Sequence, residues 1–323
     1  MNNNIDRKQF KWLSLIKWGF TVLALGFLYY EIFVRNDLSA LLRDYRSKLG
    51  GNAWPLLGVL VLMPFNWFID ALKWRWLLKE SVVLTYSQAI KGVFMGLSVG
   101  LFTPNGVGEF AGRMLTVRNA CRQQAVAASI AGSLAQLAIT ITVGGACIVF
   151  FMSKYVMPDY VTVAQITAVI TVVVGFYTYF KLPVIAEKLF SRIPSMSRFS
   201  RFREALSNYS NRELLAAYGF AFLRYAVFCT QLGIILFALG GIDIFEQYSL
   251  ILLIPVYYYI QTLVPTVALS EVGVRGMILS VLYSGYLVQS DVLLASFVIW
   301  VVNLIIPGLM GLVLVWETKL DRP

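Results

Sequence analysis

The sequence predicts an all-α protein: a polytopic integral membrane helical bundle with two re-entrant broken-helix hairpins arranged as an inverted repeat. Three observations carry that prediction. Of the 323 residues, 59% are hydrophobic and only 14% are charged, with a mean hydropathy of +0.72, whereas a soluble domain carries about 25% charged residues. The apolar residues fall in long runs, unlike the roughly 10-residue alternating strands of a membrane β-barrel. The pattern Pro…Glu-x3-Arg also occurs twice, once in each half: Pro104, Glu109 and Arg113 in the first copy, Pro265, Glu271 and Arg275 in the second.

The same composition narrows the function classes. A net charge of +10 is assigned to basic loops that face anionic lipid heads on the cytoplasmic side, and no nucleic-acid partner is expected. The chain has no histidine, which removes His-based acid–base catalysis, His metal ligands and a Ser-His-Asp triad. Cys121, Cys147 and Cys229 are scattered without a CxxC pair and read as small apolar fillers. No cofactor and no metal are expected. The fragment Gly106–Glu109 lacks the G-K-[ST] ending of a nucleotide loop.

Taken in order, residues 1–11 are polar and basic. Trp12–Val34 is a first span with Trp12, Trp18, Tyr29 and Tyr30 near its ends, where such rings favour the membrane interface. It is read as a retained span, because a basic loop follows it and no small-residue cleavage site is evident. Residues 35–53 are polar and read as a surface helix. Trp54–Leu72 is the second span, and the following Ala71–Glu80, ALKWRWLLKE, reads as an interface anchor.

Gln88–Phe102 and Val107–Val117 are each short for a crossing, which needs roughly 20 residues. They flank Thr103-Pro104-Asn105-Gly106. Pro104 removes a backbone donor, Gly106, Gly108 and Gly112 loosen the chain, and Asn105-Gly106 suits a tight turn. This is the first hairpin. Ala125–Phe151 and Val161–Phe180 are spans. Lys181–Glu213 is the largest polar segment, with seven basic residues against three acidic ones. Leu214–Leu239 is a span carrying Arg224 and, seven residues on, Gln231. Tyr248–Leu263 and Val267–Tyr283 flank the break at Pro265 as a second hairpin. Leu293–Trp316 is the last span, with Asn303 and Pro307 inside it.

One transmembrane domain is therefore expected over 1–323, with halves 12–180 and 213–316 joined by a basic cytoplasmic loop, 181–212. The positive-inside rule sends 1–11, 73–91, 113–122 and 181–212 to the cytoplasm and 152–160, 240–247 and 284–291 outside. The basic loop 35–53 then falls outside and breaks the rule. The first hairpin enters from the cytoplasm and the second from the opposite side, the arrangement of inverted-repeat transporters.

Charges at membrane depth are costly and are paired or functional. Glu109 with Arg113 and Glu271 with Arg275 are four apart, on one helix face. Their structural reading is that each pair ties its own helix turn. Their functional reading is that Arg113 and Arg275 hold a lipid phosphate while Glu109 and Glu271 orient them or meet a cationic headgroup. The half-helices starting near Asn105 and Thr266 would aim N-terminal dipoles at the same anion. Arg224 is a third candidate; its bland alternative is a partner such as Asp70 on another span. Gln136, Gln231, Gln261 and Asn303 are read as interhelical hydrogen bonds.

Four stretches carry a family resemblance: ALKWRWLL, TPNGVGEFAGR, LRYAVFCTQLGIILFALG and VPTVALSEVGVRG. Together they make the chain, over roughly 12–316, similar to the flippase-like transmembrane domain of the lysylphosphatidylglycerol synthase family. It departs from the family pattern at Asn105, where a Gly-rich turn is usual, and at the residues between Pro265 and Glu271. The resemblance implies movement of a phospholipid or other lipid-linked headgroup between leaflets of a bacterial or archaeal inner membrane, without synthesis and without an enzyme activity. The alternative is an accessory subunit that binds a lipid or a membrane enzyme and moves nothing. An enzyme using Glu109 or Glu271 as base is the third and weakest reading. The partners implied are lipids with anionic or zwitterionic headgroups, and a homo-oligomer or a membrane enzyme.

Overall fold

The computed structural model describes residues 52–101, 103, 106–155, 161–191, 200–241, 248–264 and 268–317, together with 43, 45–47 and 50. The first span, 12–34, lies outside the described residues, as do Pro104, Asn105 and Pro265. Every element among the described residues is helical.

Among the described residues, four helices are long and apolar enough to cross a membrane, and the protein is a multi-pass, all-α membrane bundle. The first, α1 (Trp54–Leu78), places Pro55 in its first turn, where a missing amide hydrogen costs nothing. After α2 (Tyr86–Gly100) and α3 (Gly108–Met114) comes the second long helix, α4 (Arg122–Tyr155). Next is α5 (Val161–Phe180), which bends by 67° into α6 (Leu182–Ser191). A short α7 (Ser200–Ser207) precedes α8 (Asn211–Gly240). Ser210 and Glu213 cap the start of α8 reciprocally, and Gly241, at φ +61°, ends it, as a left-handed C-cap requires.

The chain closes with α9 (Tyr248–Ile251), α10 (Leu253–Leu263), α11 (Ala268–Leu282), α12 (Gln289–Trp300) and α13 (Ile306–Glu317). A π-turn at Val301–Ile305 joins the last two into one long helix. Its cause is Pro307, whose ring would meet the carbonyl of residue 303 in a regular helix. There the Ile306 amide reaches back to Val301.

The two halves interleave. Helix α1 packs on α8, α2 on α13, and α4 on both α8 and α10. Small residues let α4 approach closely: Ala125, Ala128, Ala131 and Ala135 are wholly buried against Trp74, Ala217 and Ala221, the packing expected where lipid removes the hydrophobic drive between helices. On the outside, α5 exposes Val163, Ile166, Val169, Ile170 and Val173, a face that suits hydrocarbon.

The 181–212 segment, expected as a loop, is largely the helices α6 and α7. Helix α7 is tied to the bundle: Arg201 donates to the Ala120 carbonyl at 2.8 Å and the Phe202 amide to Gln123 at 3.3 Å. Tyr209 donates to the Leu77 carbonyl at 3.1 Å. Burial and the Glu213 carboxylate push its phenol above the ordinary range.

The first motif forms an antiparallel helical hairpin. Helices α2 and α3 pack side by side so closely that a β-carbon at Gly112 would overlap the Met95 carbonyl. Thr103 shapes the turn, donating to the Gly100 carbonyl at 3.1 Å and accepting the Gly108 amide at 2.7 Å. Gly106, at φ +68°, supplies a conformation that side chains disfavour. The second motif also breaks its helix: α10 ends at Leu263 and α11 starts at Ala268.

Candidate functional site

Asp70 is the centre of the polar interior. It lies on α1 in an otherwise apolar stretch and is 1% exposed. Three cations from three helices converge on it. Lys73, one turn on, reaches Oδ1 at 2.8 Å; Arg224 of α8 reaches the same oxygen at 3.3 Å; Arg113 of α3 reaches Oδ2 at 2.5 Å. The Arg113 Nη2 atom also pairs with Glu109, one turn back on its own helix.

Aromatic rings flank two of these cations. Arg224 stands 4.6 Å from the Trp67 ring and 5.1 Å from Phe228, and Arg113 stands 5.6 Å from Trp74. Ring faces attract guanidinium charge and exclude water from the pairs.

A chain of amides continues from Arg224 into the core. Its Nε donates to Asn66 at 3.1 Å, Asn66 to Asn303 at 3.3 Å, Asn303 to Gln231 at 3.0 Å, and Gln231 to the Val59 carbonyl at 2.9 Å. The π-turn carries Asn303 to the middle of this chain. Each side-chain amide thereby meets the obligation of a buried polar group to find a partner. The expected interhelical role of Gln231 and Asn303 is what the structure displays.

Two cavities open beside the cluster. The smaller, about 240 Å³, is walled by Asp70, Lys73, Glu109, Arg113 and Arg224, with Ser129, Gln136 and Thr140 of α4 opposite. The larger, about 570 Å³, is walled by Glu109, Tyr225, Tyr258, Gln261 and Arg275. Glu109, Gln136 and Thr140 line both. Among the described lining residues, four cationic side chains face two carboxylates. The Gln136 Oε1 and Arg113 Nε atoms are buried without a hydrogen-bond partner among the described residues.

The sequence-derived candidates therefore converge in part. Glu109, Arg113, Arg224 and Arg275 line these connected walls. The side chain of Glu271 and the break residues Pro104, Asn105 and Pro265 lie outside the described residues; Gly106 and Gly108 shape the turn, and Gly106 also lines the larger cavity. Arg224 meets the partner named as its bland alternative, Asp70, and lines the smaller cavity as well.

Two expectations are corrected. Lys73 and Trp74, placed at the membrane interface by the alternation in ALKWRWLLKE, are buried at 2% and 0% exposure; Lys73 serves Asp70, and Trp74 donates to the Ala125 carbonyl. The amides expected to aim at an anion from the first half-helix are already used, by Thr103 Oγ1 for Gly108 and by the Gly106 carbonyl for Glu109.

Asp70 and Lys73 are the residues that sequence reading left out of the site. The available signal was their i, i+3 spacing at the end of an apolar run, which puts opposite charges on one helix face.

The profile of the family described as “Lysylphosphatidylglycerol synthase TM region” matches residues 13–311, nearly the whole chain, and the chain belongs to that family. No curated protein matches it at a significant level.

Proposed function

We propose that this member of the family moves a phospholipid or other lipid-linked headgroup between membrane leaflets of a bacterial or archaeal inner membrane. The observation that carries the reading is the pair of neighbouring cavities that share Glu109, Gln136 and Thr140 as lining, to which both Pro…Glu-x3-Arg motifs and the central spans contribute charge. Among the described lining residues, four cations against two carboxylates favour an anionic or zwitterionic headgroup, since charge-assisted contacts to phosphate are the strong ones. Arg275 offers the contact from the larger cavity; Lys73 and Arg224 offer it from the smaller. The hairpins, entering from opposite faces as inverted halves, would expose this site to each leaflet in turn. No ATP-binding motif is present in the sequence, so transport is passive or ion-coupled, and the protein acts as a carrier and not as an enzyme.

Lipid scrambling in proteoliposomes tests this. The wild type moves headgroup-labelled lipid between leaflets, while Glu109→Gln and Arg275→Gln lower the rate at least tenfold and stay folded in detergent. A wild type that moves none of a panel of anionic, zwitterionic and glycosylated lipids sinks the reading, and favours the accessory-subunit alternative with a lipid or membrane-enzyme partner.

A further inference from the structure

Asp70 and Glu109 hold the same guanidinium nitrogen but meet different surroundings. Asp70 is 1% exposed, is shared with Lys73 and Arg224, and lines the smaller cavity. Glu109 has a side chain 25% exposed, pairs with Arg113 alone among the described residues, and lines both cavities. An anion entering the larger cavity meets Glu109 before it can reach Arg113.

We propose that Glu109 is a built-in competitor of the substrate: its carboxylate takes the place on Arg113 that a headgroup phosphate takes during transport. The inference rests on the reading of the cavities as a headgroup site. A phosphodiester carries one negative charge, as a carboxylate does, so the exchange leaves the number of anions paired with Arg113 unaltered, while the added charge is met by the cations of the two cavity walls. Asp70 keeps Arg113 fixed while the partners change, since a second anion on the buried side holds the guanidinium plane. Arg113 can accept the newcomer, because a guanidinium has five N–H donors and its Nε has no hydrogen-bond partner among the described residues. The displaced Glu109 carboxylate turns to the larger cavity, where Arg275 stands on the wall. Release of the headgroup is the reverse step, driven by the return of Glu109. The residue is thus specificity-determining: it sets how strong an anion must be to enter.

The test is equilibrium binding of a fluorescent phosphatidylglycerol to the full chain in detergent micelles. Removing the competitor by Glu109→Gln is expected to tighten binding about tenfold, the opposite of the usual loss at a site residue, while slowing scrambling because release loses its driver. Arg275→Gln is expected to weaken binding. Glu109→Asp, which keeps the charge on a shorter arm, tightens binding a few-fold and serves if the Gln variant does not fold. Binding in Glu109→Gln or Glu109→Asp that is equal to or weaker than wild type, with Arg275→Gln still weaker, overturns the competitor role and leaves the headgroup site standing. No measurable binding in wild type and Glu109→Gln alike overturns both.

Discussion

The two Pro…Glu-x3-Arg motifs share the four-residue Glu–Arg spacing and have unlike surroundings. Arg113 is 5% exposed, held between an acid of its own helix and Asp70 of α1. Arg275 is partly buried and stands with Tyr258 and Gln261 on the wall of the larger cavity. Spacing along a helix can make a pair, but the neighbouring helix decides what the pair does. In the first motif the arginine joins α3 to α1 as well as lining the smaller cavity; in the second it stands on the wall of the larger one.

The widest separation between the motifs is expected in stability. Asp70→Ala leaves the buried Lys73 and Arg113 and the half-buried Arg224 without their shared counter-ion and is expected to cost about 3–5 kcal/mol, the range for breaking a buried pair by removing one partner. Arg275→Ala removes one partly buried cation rather than a counter-ion shared by three and is expected to cost less, about 0.5–3 kcal/mol, the ordinary range of a single substitution. Thermal unfolding in one detergent compares the two, and equal losses would erase the distinction between the motifs.

A smaller difference is expected at the glycines beside the motifs. A methyl at Gly112 meets the rigid Met95 carbonyl, whereas one at Gly276 meets only the flexible end of Leu293, 2.7 Å away. Gly112→Ala is expected to cost about 1–3 kcal/mol, Gly276→Ala under about 1 kcal/mol. Unfolding midpoints in the reverse order would mean that the second hairpin is the tighter one.

The smallest effect is expected away from both motifs. Asn303→Ala interrupts the amide chain between Arg224 and Val59 and is expected to cost about 0.6–1.7 kcal/mol, the scale of membrane hydrogen bonds. A thermal scan should show that modest loss while lipid binding at Arg275 persists. A collapse of binding would tie the amide chain to the second motif as well as the first.

Most of the fold was legible because lipid imposes simple rules: long apolar runs became α1, α4, α8 and the α12–α13 pair, and the two short runs on either side of Pro-Asn-Gly became the short helices α2 and α3. The site was legible only where spacing is local. Glu109 and Arg113 announce themselves at four residues, but Asp70 meets Arg113 across 43 positions and Arg224 across 154, a distance no periodicity encodes. The alternation of Lys73 with Trp74 resembled an interface pattern because burial of a lysine depends on a partner from elsewhere. The helices of the 181–212 segment were hidden by its charge, which marks solvent contact and is silent on helix formation.

Helix α2 is gripped on adjacent residues. Gly112 of α3 lies against the Met95 carbonyl and Gly311 of α13 against the Phe94 carbonyl. Backbone resting on backbone has no side chains to repack, so it cannot slide in small steps as ordinary helix interfaces do in shear motions. Mechanically, α2, α3 and α13 are one block. Any rearrangement of the bundle must then hinge elsewhere, and the yielding contact of Gly276 with Leu293 puts the more compliant packing at α11, next to Arg275 on the wall of the larger cavity.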